Sequence, residues 1–262
     1  MGFLQITKRL FGLRGGQVKG YRHAARVPDG YRLYAIGDIH GRYDLLRLLL
    51  TKIDADAENF EGRAVLVFLG DYVDRGPQSK DVLDFLIDLK DMSSLELVFL
   101  LGNHEQTMLD FLANAPASEH WLRYGGLETL ASYGVHISSE DLNESSLSRV
   151  RSTLRDNLDA SHLDFLRRLR LSYEQGDYYF AHAGIRPGID LSAQILDDLL
   201  WIREPFLSST QDFGRIIVHG HSISEEPVVR RNRIGIDTGA FASGRLTALV
   251  LEGEERRFLA TL

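Results

Sequence analysis

The sequence predicts an α/β fold carrying a helical insertion, and three observations predict it. Five short apolar runs each end in a polar group containing glycine. Helical patterns follow the first three of these groups. Between about residues 114 and 175 that rhythm stops and helical periodicity takes over. Strand, loop, helix, strand is the βαβ pattern of a sheet with parallel strands.

The runs are Leu33–Ile36, Ala64–Leu69, Leu95–Leu101, Tyr178–Ala181 and Ile216–Val218. They are short and rich in β-branched and aromatic residues, as buried strands are. The groups that follow read Gly-Asp-Ile-His-Gly (37–41), Gly-Asp-Tyr-Val-Asp-Arg-Gly (70–76), Gly-Asn-His-Glu (102–105), His-Ala-Gly (182–184) and His-Gly-His (219–221). Tyr43–Ile53, Lys80–Leu89 and Gln106–Leu112 space their apolar residues along one helical face. The 114–175 stretch reads as an insertion, with helical periodicity around Leu142–Leu171. Further strand-like runs at Pro227–Arg230, Arg233–Ile236, Leu246–Leu251 and Arg257–Leu262 suggest a second sheet of antiparallel strands.

The bulk numbers narrow the class. The 262 residues suit one large domain, and 44% hydrophobic with 26% charged residues is ordinary for a water-soluble globular chain. The absence of cysteine removes disulfides and thiolate metal ligands and fits a cytoplasmic setting. No apolar run is long enough to cross a bilayer. Residues 1–26 hold six Lys or Arg and no acid, which leaves the remainder at −13 against −7 for the whole chain. This basic arm, with Phe3, Leu4, Ile6, Leu10, Phe11 and Leu13, could touch a membrane surface or a partner, although a solvated terminus is the plainer reading. Residues 27–262 are taken as the domain. Its acidity argues against nucleic acid as the main ligand.

Ligands of such folds bind beyond the carboxyl ends of the strands. The five polar groups should therefore meet at one edge, bringing together Asp38, His40, Asp71, Asp74, Arg75, Asn103, His104, His182 and His221. Carboxylate oxygen and imidazole nitrogen suit Mn²⁺, Fe or Zn²⁺. Two such ions about 3.5–4 Å apart can clamp a phosphoryl group, and they need a bridging carboxylate. Asp71 is the natural candidate. Asp38 and His40 sit two residues apart and can face one ion, while Asn103, His182 and His221 can complete the other. Two divalent ions, two carboxylates and a bridging hydroxide leave a site of slight positive charge, which favours a phosphate dianion. Taken singly, Asp38 or Asp71 could be a helix cap and His182 a core histidine. Their joint occurrence after five apolar runs argues against that.

The series GDIHG, GDYVDRG, GNHE, HAG and a late GH resembles the calcineurin-like metallophosphoesterases, and within them the bacterial and phage serine/threonine phosphatases of the phosphoprotein phosphatase family. The resemblance covers roughly residues 31–250 and implies a central β-sandwich of mixed sheets flanked by helices. It also implies that Asp38, His40 and Asp71 hold one metal and that Asp71, Asn103, His182 and His221 hold the second, with Mn²⁺ the leading candidate. His104 would be the general acid oriented by Asp74, Arg75 would grip the phosphate, and Arg203 in Leu-Trp-Ile-Arg-Glu could be a second phosphate ligand. The implied reaction is hydrolysis of phosphoserine or phosphothreonine on a protein by metal-activated hydroxide. The alternatives are a dinucleoside polyphosphate hydrolase sharing the same opening motifs and a silent scaffold that binds phosphoproteins. Ile223 stands where many metallophosphoesterases carry a second late histidine, in keeping with the phosphatase branch. His219 reads as a core residue beside a ligand; Trp121 and Tyr124 could wall the site, although packing within the insertion is the plainer reading, and the resemblance implies that Glu105 steadies the loop of His104.

Overall fold

The computed structural model describes residues 25–92, 95–114, 120–137 and 143–262. The basic arm lies outside these residues except for Ala25 and Arg26.

Two five-stranded mixed sheets stack face to face. The first runs β10-β9-β1-β2-β3, with β1 (Tyr31–Ile36), β2 (Arg63–Phe68) and β3 (Glu96–Phe99) parallel. The second runs β4-β5-β6-β8-β7, with β5 (Tyr178–Ala181), β6 (Ile216–His219) and β8 (Arg233–Gly235) parallel. Strands β4 (Ser172–Gln175) and β7 (Val228–Val229) are its antiparallel edges.

The period-2 alternation of strand side chains builds the layers. Leu33, Ala35, Val65 and Val67 point between the sheets and meet Tyr178, Phe180, Val218 and Ile234. Tyr34, Ile36, Leu66 and Phe68 point the other way, under the helices. There α1 (Tyr43–Ala57) buries Leu45, Leu46, Leu49 and Ile53, whose spacing defines one face. Beside it lie α2 (Ser79–Met92) and α3 (Asn103–Ala113). On the outer face of the second sheet, Tyr179, Ala181 and Ile217 pack against Leu199 of α7 (Leu196–Trp201), Ile202 and Phe206.

Two expectations about strand placement are corrected. The runs after His221 do not form an antiparallel sheet of their own. β7 and β8 extend the second sheet, whereas β9 (Thr247–Glu252) and β10 (Glu255–Ala260) return to the first, with β9 antiparallel to β1. Within 114–175, α4 (Leu127–Ser132), α5 (Glu144–Asn157) and α6 (Ala160–Arg167) are helical, but the last residues form strand β4. A short helix, α8 (Ala240–Ser243), bridges β8 and β9. Among the described residues no helix is long and apolar enough to cross a membrane.

Candidate metal centre

The carboxyl ends of β1, β2, β3, β5 and β6 lie along one edge of the sandwich, and their loops are laced together by backbone bonds. Ile39 and His40 N–H both donate to the Asp71 carbonyl (3.0 and 2.8 Å), and Gly41 N–H donates to Tyr72 (2.8 Å). The first two loops approach so closely that a Cβ on Gly76 would stand 2.2 Å from the His40 carbonyl. Only glycine fits there.

These turns are left-handed at positions that are not glycine. His40, Asp71, Asp74, Arg75 and His221 have φ of 48°, 53°, 74°, 68° and 61°. Such φ values cost roughly 1–2 kcal/mol per residue. Here they swing one side chain after another into a common space.

Asp71 stands at the centre, 2% exposed. Its Oδ2 lies 3.5 Å from His40 Nε2 and 4.0 Å from His104 Nε2. Its Oδ1 faces the other way, 3.4 Å from His182 Nε2. Two ligand groups with metal-compatible spacing result, His40–Asp71–His104 and Asp71–His182–His221, and they share Asp71. Asn103 Oδ1 joins the second group, 2.8 Å from His182 Nε2 and 2.9 Å from His221 Nδ1. Asp38 accepts the His221 backbone N–H at 3.0 Å.

The backbone selects the imidazole tautomers. His40 Nδ1–H donates to the Val73 carbonyl and His182 Nδ1–H to that of Leu69, each at 2.9 Å. Each Nε2 lone pair is then left facing the cage. Burial pushes the pKa values of His40 and His221 down to about 3, so both are neutral donors. Burial raises the Asp38 pKa well above the usual carboxylate range, reinforced by Asp237 and then Asp71.

These residues fit divalent cations. Buried Asp38 Oδ1 and His221 Nε2 have no hydrogen-bond partner. The bare His182 Nε2 points at two oxygens. Lone pairs gathered in a dry space call for a cation, and the set of carboxylate, imidazole and amide oxygen suits Mn²⁺, Fe or Zn²⁺.

His104 stands beside this cage. Its Nδ1–H donates to Asp74 Oδ2 at 2.6 Å. Burial opposes a charge on the ring, but the Asp71 carboxylate and the Asp74 bond outweigh it, and the His104 pKa rises. Arg75 reaches over the mouth, with Nη1 3.0 Å from His40 Nε2, Nη2 3.1 Å from His104 Nε2, and its plane 4.8 Å from the Phe241 ring centre. Arg203 is exposed just after α7, and its charge is felt at His221. All the residues collected from the sequence thus lie at this edge, Arg203 at its periphery. His219 packs edge-on to Phe206 instead, in the outer core.

Further residues support this arrangement. Trp121 Nε1–H donates to Asp74 Oδ2 (2.8 Å) and Thr129 Oγ–H to Asp74 Oδ1 (2.6 Å). The inserted segment therefore clamps the carboxylate that orients His104, and the packing role expected of Trp121 was too modest. Glu105 is fully buried and accepts four backbone N–H groups, from Tyr72 (2.7 Å), Val73 (3.1 Å), Asp71 (2.8 Å) and Gly102 (3.0 Å). Asp237, 2% exposed at the end of β8, faces Asp38. Of these, Glu105 and Trp121 were legible in the sequence as residues beside the site, whereas Thr129 and Asp237 were not.

Residues 31–242 match the family described as Calcineurin-like phosphoesterase. A bis(5'-nucleosyl)-tetraphosphatase of the asymmetrical type from Anoxybacillus flavithermus is 31% identical over 82% of this chain and 88% of its own length. Serine/threonine-protein phosphatase 2 of Salmonella typhimurium is 26% identical over 86% of this chain and 96% of its own. Among solved structures, a cold-active protein-tyrosine phosphatase from a psychrophilic Shewanella superposes with a TM-score of 0.56, at 21% identity, covering 89% of this chain and 83% of that one. That likeness shows the fold.

Proposed function

This chain belongs to the calcineurin-like phosphoesterases, and from that membership and the arrangement around Asp71 we propose that it hydrolyses phosphoserine and phosphothreonine on proteins. The coarser statement, a metal-dependent phosphoesterase, follows from the family itself. On our reading Asp38, His40 and Asp71 would hold one divalent cation and Asp71, Asn103, His182 and His221 a second, with Mn²⁺ the first candidate. When bound, the two ions supply Lewis acidity and a nucleophilic oxygen at neutral pH.

The protein's own groups do the rest. Arg75 presents two N–H groups to equatorial phosphate oxygens, a fork suited to a spreading negative charge. Arg203 is a candidate for a second such contact. His104, whose ring Asp74 orients through Nδ1, would deliver a proton from Nε2 to the leaving oxygen. Trp121 and Thr129 fix Asp74 and so fix the ring.

The single observation that carries the substrate reading is the His104–Asp74 pair, a 2.6 Å bond that aims an imidazole at the mouth of the cage. A serine or threonine alkoxide is a poor leaving group that needs a proton, whereas a nucleotide phosphate leaves readily without one. The similarity to a bis(5'-nucleosyl)-tetraphosphatase favours a second reading, cleavage of a dinucleoside tetraphosphate. A parallel assay with Mn²⁺ on a phosphoserine peptide, a phosphotyrosine peptide and diadenosine tetraphosphate separates the two. Turnover of the dinucleotide alone would overturn the first. Metal uptake with turnover of none would point to a phosphoprotein-binding scaffold.

A further inference from the structure

Asp237 brings a third buried carboxylate to the cage. Its place is set by backbone packing. Ile236 N–H donates to the His219 carbonyl (2.9 Å), and Ser224 N–H donates to that of Asp237 (3.0 Å). Across the sandwich, a Cβ on Gly37 would stand 2.7 Å from the Ile236 carbonyl, so the Gly37–Asp38 step runs directly beside Ile236–Asp237. This is where the ends of β1 and β8, from different sheets, touch. The Asp237 side chain takes Gly239 N–H on Oδ1 at 2.9 Å, and its charge acts on Asp38.

Asp38, Asp71 and Asp237 are each 2% exposed and repel one another. Among charged side chains acting on both Asp38 and Asp237, Arg75 is the cation. One guanidinium does not balance three buried carboxylates, and unpaired buried charges cost several kcal/mol each. Asp38 Oδ1 is without a partner. The deficit of positive charge therefore lies where Asp38 Oδ1 stands.

We infer that Asp237 is a positioning residue of one metal position, orienting Asp38 and adding negative charge behind the cation held by Asp38, His40 and Asp71. The inference rests on the dinuclear reading proposed above. It lowers the formal charge of the cage by one relative to a count of Asp38 and Asp71 alone. It also makes the two positions unequal, because the added carboxylate acts on Asp38, which on this reading is a ligand of one position alone.

The test is a calorimetric titration of the metal-stripped full chain with Mn²⁺, for the wild type and Asp237→Asn. Asparagine keeps an oxygen for Gly239 N–H and the same shape, and loses only the charge. The wild type should bind two ions. The variant should lose roughly 10–100-fold in affinity for one of them, the range for groups that orient metal ligands, with the other essentially unchanged. At two equivalents of Mn²⁺ its paramagnetic resonance should be that of isolated ions where the wild type shows a coupled pair. A variant that matches the wild type, or weakens both ions equally as a merely structural change would, overturns the inference and leaves the proposed function standing. A wild type that binds no ion overturns both. Should the variant not fold, anomalous scattering from Mn²⁺-soaked wild-type crystals decides. Asp237 should touch the ion beside Asp38 or lie one water from it, and a greater separation refutes the role.

Discussion

Replacing Glu105 by glutamine tests how the second and third loops are held. The carboxylate is fully buried, and every partner it has is a backbone donor. Oε1 takes Tyr72 and Val73 N–H, and Oε2 takes Asp71 and Gly102 N–H. Burial and then Asp71 raise its pKa, and the backbone donors oppose them. Both oxygens already face backbone N–H groups, so a proton on either would meet a donor, and the charged form is the one that fits. Glutamine has one acceptor oxygen, and in either orientation its amide nitrogen confronts two backbone N–H groups. Each stranded buried donor costs about 1–3 kcal/mol, so the pair costs about 2–6 kcal/mol. That is a large share of the roughly 5–15 kcal/mol that holds a domain of this kind together. Urea unfolding of the metal-free protein should show the loss as a lower midpoint with an unchanged slope. A loss under about 1 kcal/mol would refute the reasoning, since it would mean the four donors find other partners at little cost.

His104→Asn should lower turnover of a phosphoserine peptide by about 10²–10⁴-fold and that of p-nitrophenyl phosphate far less, because p-nitrophenolate leaves without a proton. Equal losses on both would count against the acid role. Asp56 ties α1 to β10 and β1 through a two-bond pair with Arg257 (2.5 and 2.6 Å) and the Tyr34 hydroxyl (2.7 Å). The Arg257 bonds, against burial and helped by Tyr34, hold its pKa below the ordinary 3.8. A depressed carboxylate pKa stabilises above the unfolded value and ceases to as the pH falls through the folded one. Asp56→Asn should therefore cost about 1.5–3 kcal/mol at pH 7, with the gap closing below about pH 4. A gap that does not narrow at all as the pH falls below about 4 in thermal melts would assign it to shape instead of charge.

How much was legible in the sequence depended on the kind of information needed. β5 was expected at Tyr178–Ala181 and is found there, because a short β-rich run between turn residues has few other uses. The candidate site residues could be gathered from the sequence because each group follows such a run. Strand partners were not. Leu246–Leu251 reads as a strand whichever sheet it joins, and only the fold reveals that β9 lies against β1. Trp121 and Thr129 were invisible as supports of Asp74 because they come from a segment remote in the chain with no motif of its own. Asp237 was missed for a similar reason. Its run, Arg233–Ile236, was assigned to a separate antiparallel sheet, whereas β8 is parallel to β6 and ends at the cage.

The left-handed backbone shows why the motif residues occur as they do. Glycine would adopt φ near 50–75° without strain, yet the chain places His40, Asp71, Asp74, Arg75 and His221 there. Aspartate and histidine tolerate this region better than most residues, and arginine does not share that ease. Strain at five positions persists only where the surroundings enforce it. Here the enforcing contacts are on the page: Glu105 gathers Asp71, Tyr72 and Val73, the Gly125 carbonyl accepts Arg75 N–H at 3.1 Å, and Asp38 holds His221 N–H. The exception is Asn114, whose left-handed turn ends α3 and serves no cage. A strand that simply ended would leave its last side chain pointing along the sheet. A left-handed residue turns it sideways, over the edge, where side chains from five strands can meet.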